Sequence, residues 1–437
     1  MTSRIRSLGG GISRSIGRAF VGILFAALIA SPAMAQDDIV LKWNEIAART
    51  ATATNPFNQA RVMAIVQLSV FEAVNAITGD YTPYLKPQLE APAGASLEAA
   101  VVIAAHKTLT TYFTAPATVA LLDAARDNDL AAIANGSAKT DGMAVGMAAA
   151  NAMIALRADD GSATAPLTIV PSPGSPGDYE LTTGCTAGLF YNWPNVTPFA
   201  IRSPKEFLLP PPPSQRSQRY AKDYYEVSTV GSADSGLRPA DRTDVARLYA
   251  GTSPNFALSM ATRQISAVKG LSPSQNARAL ALIMMGINDS LIASFYNKYH
   301  YNLWRPETGI RKGELDDNRK TDGNVAFTTF IPTPCFPSYP SNHASGTNGG
   351  LEVMRRLFGA AGHDITITNN VAALGSLPAT VITLHYTQLK EIADDVDDAR
   401  VYGGIHWRFD QVGGNVLGRA IATQVVRTKL RPVHSSK

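Results

Sequence analysis

The sequence predicts an all-α protein built as two helical bundles joined by an irregular linker rich in proline and glycine. Three observations favour this class. Apolar residues recur at three- and four-residue steps over long stretches, such as "NQARVMAIVQLSVFEAVNAI" at residues 58–77. Segments that alternate apolar and polar residues, as half-buried strands do, are scarce. A stretch rich in proline and glycine, residues 165–215, interrupts the helical pattern in the middle of the chain.

The helical pattern before the linker continues in "SLEAAVVIAAHKTLTTYF", "ATVALLDAARDNDLAAIA" and "GMAVGMAAANAMIALRADDG". These segments predict an N-terminal bundle over residues 36–205. After the linker the pattern returns in "QNARALALIMMGINDSLIASFYNKY", "GLEVMRRLFG", "PATVITLHYTQLKEIADDVDDARVY" and "FDQVGGNVLGRAIATQVVRTKL". These segments predict a C-terminal helical bundle over residues 206–437, in which residues 378–402 are expected to be helical.

The first 35 residues have the features of a secretory signal peptide. Arginines precede the apolar run "AFVGILFAALIA", and small residues precede Gln36. We therefore expect a secreted or periplasmic protein whose mature part is not embedded in a membrane. Without this segment the chain has 35 basic and 35 acidic residues, a balance that argues against a nucleic-acid partner. Only two cysteines occur, Cys185 and Cys335, and they could form one disulfide or remain two buried thiols.

Three segments of the second half carry groups that suit an anion. In "NKYHYNLWRPETG", Lys298 and Arg305 lie seven residues apart. In "PSYPSNHASG", Ser341 precedes a predicted helix, and the start of a helix favours an anion through its free amide groups and its dipole. Taken alone, each segment is better explained by an ordinary feature: a solvated surface cation for the first and a common helix cap for the second.

The third segment, "DARVYGGIHWRFD", contains Arg400, His406 and Asp410. Gly404 allows close approach of the backbone before His406. Asp410 lies four residues after His406, where it could accept a hydrogen bond from the imidazole and fix its tautomer. Asp289, on the helix before Lys298, could orient a cation of this group or form a buried salt bridge.

The three segments together supply three cations, one hydroxyl, free amide groups and two histidines. This set suits a tetrahedral oxyanion such as phosphate or vanadate, because cations and amides neutralise its oxygens. One histidine could bond the central atom while the other exchanges a proton with an oxygen. The set predicts an oxyanion site in the second half of the chain.

The order of these motifs resembles the signature that vanadium-dependent haloperoxidases share with bacterial class A acid phosphatases and type-2 phosphatidic acid phosphatases. That signature reads Lys-x6-Arg-Pro, then Pro-Ser-Gly-His, then Ser-Arg-x5-His. Here its three blocks read Lys298 to Pro306, Pro340 to His343 and Ala399 to His406. The resemblance is clearest over residues 280–425. The segment "WNEIAARTATATNPFNQARVMAIVQLSVFEAVNAI" is also similar to secreted bacterial haloperoxidase-like proteins.

The resemblance implies a role for each matching residue. The residues implied to hold the oxyanion are Lys298, Arg305, Ser341, Asn342 (through its backbone amide) and Arg400. His406 would be the vanadium ligand, or the phosphorylated nucleophile in a phosphatase. Lys298 would also polarise the bound peroxide, and His343 would be the general acid–base. Phe336 and Phe295 fall where chloroperoxidase-type members carry aromatic residues near the halide.

Two positions depart from the family signature. Asn342 replaces a glycine, and asparagine is the residue that best tolerates a left-handed backbone if the site needs one. Ala399 replaces a serine and removes one hydroxyl. Neither change removes a cation or a histidine, so we expect the oxyanion site to persist.

The resemblance implies vanadate as cofactor, with hydrogen peroxide, a halide and a small organic acceptor as reaction partners. The favoured hypothesis is a haloperoxidase that produces a hypohalous-acid-type halogenating species. An exported acid phosphatase that acts through a phosphohistidine is the alternative. A third hypothesis is a non-catalytic oxyanion-binding protein. The sequence is compatible with a homodimer and does not decide it.

Overall fold

The computed structural model describes residues 38–164, 171 and 174–433. The predicted signal peptide lies outside these residues, as does part of the predicted linker. The described chain is mostly helical, as predicted. The helices of the first half are α1 (Ile39–Ala51), α2 (Pro56–Thr78), α3 (Leu97–Tyr112), α4 (Pro116–Ala131) and α5 (Ser137–Leu156).

The second half contains eight helices and two strands among the described residues. They are α6 (Gln218–Val230), α7 (Ala240–Ala250), α8 (Pro254–Lys269), α9 (Pro273–Tyr301), α10 (Pro306–Arg311), α11 (Asn342–Phe358), β1 (Ala361–Val371), β2 (Thr380–Gln388), α12 (Leu389–Val401) and α13 (Arg408–Thr428). Residues 38–433 pack as one compact unit where they are described. The division into two bundles near residue 205 stays a prediction.

Helix α9 runs through the core and sets the position of the candidate site. It begins at a capping box, in which the Ser272 hydroxyl and the Gln275 side chain each accept a backbone N–H, and Pro273 occupies its first position. It packs against α2, α11 and α13. Helices α2 and α9 are long and apolar enough to cross a membrane, but 89% and 94% of their most apolar windows are buried inside this protein. Their apolar character therefore serves the core.

The irregular segment between the two halves is fastened to α9 by two buried side chains. Asp289 accepts hydrogen bonds from the backbone N–H groups of Phe199, Ala200 and Ile201. The Asn297 amide oxygen accepts from the backbone N–H of Leu209. Asp289 thus satisfies a loop backbone, and the expectation that it orients a cation or joins a salt bridge is wrong. The described part of the segment contains only short 3₁₀ turns.

The prediction of a helix throughout residues 378–402 is wrong in its first part. Residues 380–388 form strand β2, which pairs antiparallel with β1 in a two-stranded sheet, and α12 begins only at Leu389. In β2 the side chains of Ile382 and Tyr386 are buried, and the neighbours of each on both sides are exposed or half-buried. The β-branched residues of "TVIT" favour this extended conformation.

Candidate active site

The end of α9 supplies Lys298, whose side chain is completely buried. Its Nζ donates hydrogen bonds to the carbonyl oxygens of Pro337 and Ser338, at 2.9 and 2.7 Å. An ammonium group has three N–H donors, so one donor remains beyond these two. The contacts hold Lys298 against the segment that leads into α11.

Arg305, four residues after the end of α9, is also completely buried. Its Nε donates to the carbonyl oxygen of Phe336 at 2.7 Å, and its Nη1 donates to that of Ile405 at 2.9 Å. Nη1 also lies 3.0 Å from Nε2 of His406. Its Nη2 is buried and has no partner among the described residues. Arg305 therefore joins two of the sequence motifs, and the two N–H groups of its Nη2 have no partner among the described residues.

Helix α11 begins at the motif that contains His343. Ser341 is the N-cap, and its hydroxyl oxygen accepts a hydrogen bond from the backbone N–H of Ala344. Asn342 is the first helical residue and is not among the positive-φ residues. The left-handed backbone that could have explained asparagine at this position is therefore absent. His343 is half-buried and lines a cavity, as Asn342 does.

Arg400 lies in the last turn of α12, and His406 lies in the connection between α12 and α13. Arg400 Nη1 donates to the carbonyl oxygen of Tyr249 at 3.1 Å, whereas its buried Nε has no partner in the described part of the chain. Gly404 has a φ of +80°, and a Cβ built there would lie 2.2 Å from the carbonyl oxygen of Gly231. Only glycine fits this position, as the sequence indicated.

His406 is oriented by Asp410, as predicted from their spacing. Its Nδ1 donates to Oδ2 of Asp410 at 2.8 Å, so the lone pair is on Nε2, which accepts a hydrogen bond from Nη1 of Arg305. The same carboxylate oxygen accepts from the Ser338 hydroxyl and, at 3.1 Å, from the backbone N–H of Trp407. Burial raises the pKa of Asp410 to about 7, against the lowering effect of the Ser338 hydrogen bond and nearby cations.

The site carries a surplus of positive charge. None of the described carboxylates forms a salt bridge with Lys298, Arg305 or Arg400, whose side-chain hydrogen bonds to protein groups end mainly on backbone carbonyl oxygens. Burial, and then the charges of Arg400 and Lys298, hold the pKa of His343 well below its ordinary value. Burial, followed by the three cations, does the same to the pKa of His406. Both imidazoles are therefore neutral at pH 7.

A cavity of about 420 Å³ opens onto the two histidines and Arg400. Its other walls are mainly apolar and include Phe57, Phe190 and Phe336. The ring of Phe336 lies against both buried cations, with its centroid 5.3 Å from Lys298 Nζ and 5.0 Å from the guanidinium carbon of Arg305. Phe295 packs behind Phe336, with 5.2 Å between ring centroids, and is not among the residues that line the cavity.

A disulfide bond joins Cys185 to Cys335 and decides the alternative that the sequence left open. It ties the linker to the residue before Phe336, and the backbone N–H of Leu189 donates to the carbonyl oxygen of Cys335. Phe190 follows with a φ of 63°, a conformation that costs energy for a bulky residue and is usually held by its surroundings. The bond thus fixes one aromatic wall of the cavity.

The donor set fits an oxyanion such as vanadate. At the site itself, three buried donors have no partner among the described residues: Arg305 Nη2, Arg400 Nε and Asn342 Nδ2. An unsatisfied buried donor costs about 1–3 kcal/mol, more when it is charged. A tetrahedral oxyanion next to Nε2 of His406 would satisfy such donors and neutralise the surplus charge.

The structure brings most of the predicted site residues into one cluster. Of the predicted aromatic pair, Phe336 reaches the cavity and Phe295 supports it. Four residues of the site were not predicted from the sequence: Ser338, which donates a hydrogen bond to Asp410, Tyr249, whose carbonyl oxygen accepts from Arg400, and the cavity residues Phe57 and Phe190. Ser338 lies within the segment "PSYPSNHASG", and Phe57 lies within the N-terminal segment that is similar to haloperoxidase-like proteins, so their positions in the sequence could have indicated these two.

Comparison with known proteins identifies the same part of the chain. Residues 278–435 match the family model described as "VCPO second helical-bundle domain". A vanadium chloroperoxidase of Curvularia inaequalis is 24% identical over 314 residues, a match that covers 57% of this chain and half the length of that relative.

Two solved structures share the fold over most of the chain. One is described as the first bacterial vanadium-dependent iodoperoxidase; it has a TM-score of 0.72 and 21% identity and covers 92% of this chain and 97% of its own. An apo-type bacterial vanadium-dependent chloroperoxidase has a TM-score of 0.67 and 16% identity, covering 85% of this chain and 93% of its own. The predicted resemblance is confirmed: the chain has the fold of the vanadium-dependent haloperoxidases, and residues 278–435 match the model of their second helical bundle.

Proposed function

We propose that this chain is an exported, vanadate-dependent haloperoxidase. It would use hydrogen peroxide to oxidise a halide to a hypohalous-acid-type species that halogenates a small organic acceptor. The observation that carries the proposal is the buried group of Lys298, Arg305 and Arg400, whose charges all act on His406, with unpartnered donors and no salt bridge from a described carboxylate to any of the three. Vanadate is supported by fold relatives that are vanadium haloperoxidases by name, and export by the pattern of residues 1–35.

Each residue of the group has a defined task in this proposal. The three cations and the first turn of α11 would hold the oxyanion, and His406 would bind the metal through Nε2, because Nδ1 is engaged by Asp410. When bound, vanadate supplies a Lewis-acidic V(V) centre that activates peroxide without a change in oxidation state.

The remaining residues control protons, water and the halide. His343 is neutral in the anion-free protein because its pKa is low, so one of its ring nitrogens can accept a proton and later return it. A bound anion would raise the pKa of His343 by opposing the charges of Arg400 and Lys298. The phenylalanine rings exclude water from the cavity, and we place the halide near Phe336, beside Lys298.

The same group also suits phosphate, because phosphate and vanadate are both tetrahedral anions with four oxygen atoms. In an acid phosphatase, Nε2 of His406 would attack phosphorus and His343 would protonate the leaving group. This is the second candidate function, and it would use the same unpartnered donors of Arg305, Arg400 and Asn342.

Two assays on the purified chain from Gln36 onward separate the candidates. The protein is stripped of phosphate and loaded with vanadate, then given peroxide, bromide and a reporter diketone; a vanadate-free sample is given an aryl phosphate. We expect vanadate-dependent halogenation that His406→Ala abolishes and His363→Ala leaves intact. His363 is the matched control because it lies on β1 and bonds the carbonyl oxygen of Gly359. Release of phosphate without halogenation would contradict the haloperoxidase proposal.

A further inference from the structure

Asn342 stands where the family signature has glycine, and its side chain is held in one orientation. The hydroxyl of Ser294, on α9, donates to Oδ1 of Asn342 at 2.6 Å. Ser294 is completely buried, and Asn342 is 5% exposed. Because Oδ1 is engaged, the N–H groups of Nδ2 face the other way, and Nδ2 has no partner among the described residues.

The local structure of α11 gives no reason for an asparagine here. Ser341 caps the helix with its own hydroxyl, and the backbone of Asn342 is helical, so neither capping nor a left-handed conformation requires this residue. A glycine or alanine would avoid burying a polar amide whose donor is unsatisfied, which costs free energy. The side chain is explained if a ligand satisfies it.

The position of Asn342 indicates which ligand that is. It lines the same cavity as His343, Arg400 and His406, which also contribute to the oxyanion site. Arg400 likewise keeps a buried donor without a described partner. A ligand that satisfies Arg400 beside His406 is therefore the nearest chemical explanation for the free amide of Asn342.

We propose that the side-chain amide of Asn342 is a neutral donor to the bound oxyanion, and that Ser294 is the residue that positions it. The family signature has no side chain at this point, so the donor is an addition made by this chain. The inference rests on the proposed function only in requiring a tetrahedral oxyanion in the site, and it applies to vanadate and phosphate alike.

A neutral donor differs from the three cations in a measurable way. Asn342 adds a directional hydrogen bond without charge, so its contribution to affinity should change little with ionic strength. Because Ser294 fixes the amide before the anion arrives, little conformational entropy is lost on binding. Each effect can be measured by equilibrium binding, without any catalytic assay.

The test measures equilibrium binding of inorganic vanadate and, separately, inorganic phosphate to the purified protein. For Asn342→Ala we expect affinity for both anions to fall about 3- to 10-fold, the range of one neutral hydrogen bond. Asn342→Asp keeps the size of the side chain but replaces the donor by a carboxylate oxygen, and we expect a loss of about 100-fold or more from the buried like charge.

Ser294→Ala tests the positioning role, and Ser290→Ala is its matched control. Ser290 is buried one turn earlier on α9, and its hydroxyl donates to the carbonyl oxygen of Gly286. We expect Ser294→Ala to weaken both anions about 2- to 5-fold and Ser290→Ala to leave affinity unchanged. In the Asn342→Ala background the effect of Ser294→Ala should disappear, which a purely structural role would not produce.

The outcomes separate this inference from the proposed function. If the unmodified protein binds both anions and Asn342→Ala binds them equally well, the inference is wrong and the proposed oxyanion site stands. If the unmodified protein binds neither anion, both are wrong. Thermal unfolding of every variant is measured in parallel. Should Asn342→Ala not fold, Ser294→Ala decides the inference, because unchanged affinity in that variant would contradict it.

Discussion

Two groups of buried cations in this molecule are built in opposite ways. In the first half, Arg61 and Arg157 share the carboxylate of Asp160, with N···O distances of 2.7 and 2.9 Å. In the second half, Lys298 and Arg305 donate mainly to backbone carbonyl oxygens. Carbonyl oxygens satisfy hydrogen bonds but carry no net charge, so only the first group has a carboxylate in direct salt-bridge contact.

The difference separates a structural ion pair from a binding site. Burial alone would raise the pKa of Asp160, but the hydrogen bonds and charges of the two arginines hold it below its ordinary value. In the second group, burial lowers the pKa of Arg400 to about 9 and that of Arg305 to about 10, with no described carboxylate paired to either. A buried cation therefore indicates a ligand site only when its charge is left without a partner.

The largest expected change in stability comes from removing the charge of Asp160, which pairs with Arg61 and Arg157. Asp160→Asn leaves two buried guanidinium groups without their anion and should lower the free energy of unfolding by about 3–5 kcal/mol. Urea denaturation measures this change. Asp159→Asn, at the exposed neighbouring residue, should have no comparable effect. The affinity for vanadate should stay the same, and a large loss of affinity would contradict the division into two independent groups.

The second prediction concerns a variant that lacks one cation of the candidate site, where no described carboxylate forms a salt bridge with the cations. Arg400→Met should weaken vanadate binding about 100-fold, because a charged donor in a buried site is lost. It should not lower the free energy of unfolding of the anion-free protein, since the removed charge was uncompensated. Equilibrium dialysis and urea denaturation measure the two quantities. Arg427→Met, at an exposed position on α13, is the control that should change neither.

Glu72 in α2 is a buried carboxylate outside both groups, and it predicts a smaller change in the free energy of unfolding. It accepts a hydrogen bond from the backbone N–H of Tyr84, and burial raises its pKa from 4.5 to about 7. Between these two values the folded protein binds more protons than the unfolded chain, so stability should fall as pH rises through this window.

The matching variant is Glu72→Gln. At pH 8 it should raise the free energy of unfolding by on the order of 2 kcal/mol, because the buried ionised carboxylate is removed while a carbonyl acceptor remains. At pH 4 the difference should vanish. Urea denaturation at both pH values measures it, with Glu90→Gln as the exposed control. An equal gain at both pH values would show that ionisation is not the cause.

Much of the helical fold could be predicted because its signals are local. The apolar period of α2 and α9 lies within each segment, and Pro56 and Pro273 mark their first residues. For strand β2 the sequence predicts a helix, and this is wrong because the strand is stabilised by pairing with β1. Strand β1 is a separate segment that lies before β2 in the chain. The period within a short apolar segment does not reveal such a partner.

The candidate site was predictable to the extent that its residues lie in compact motifs. His406 and Asp410 are four residues apart at the start of one helix, so their hydrogen bond followed from spacing. The contact of Ser294 with Asn342 spans 48 residues and joins two helices, so no local pattern contains it. The same holds for Tyr249 and Arg400, which are 151 residues apart.

The sequence by itself determined which chemical groups are available: three cations, two histidines, a capping serine and a glycine before His406. These are properties of residue type and short spacing. The tertiary structure alone decided which donors are left without a partner, because that depends on every group packed around them. The cations of the site donate to carbonyl oxygens from three segments that are distant in sequence. In the first half, the buried arginines form salt bridges with Asp160 instead. Packing thus turned similar buried cations into an ion pair in one place and a candidate oxyanion site in the other.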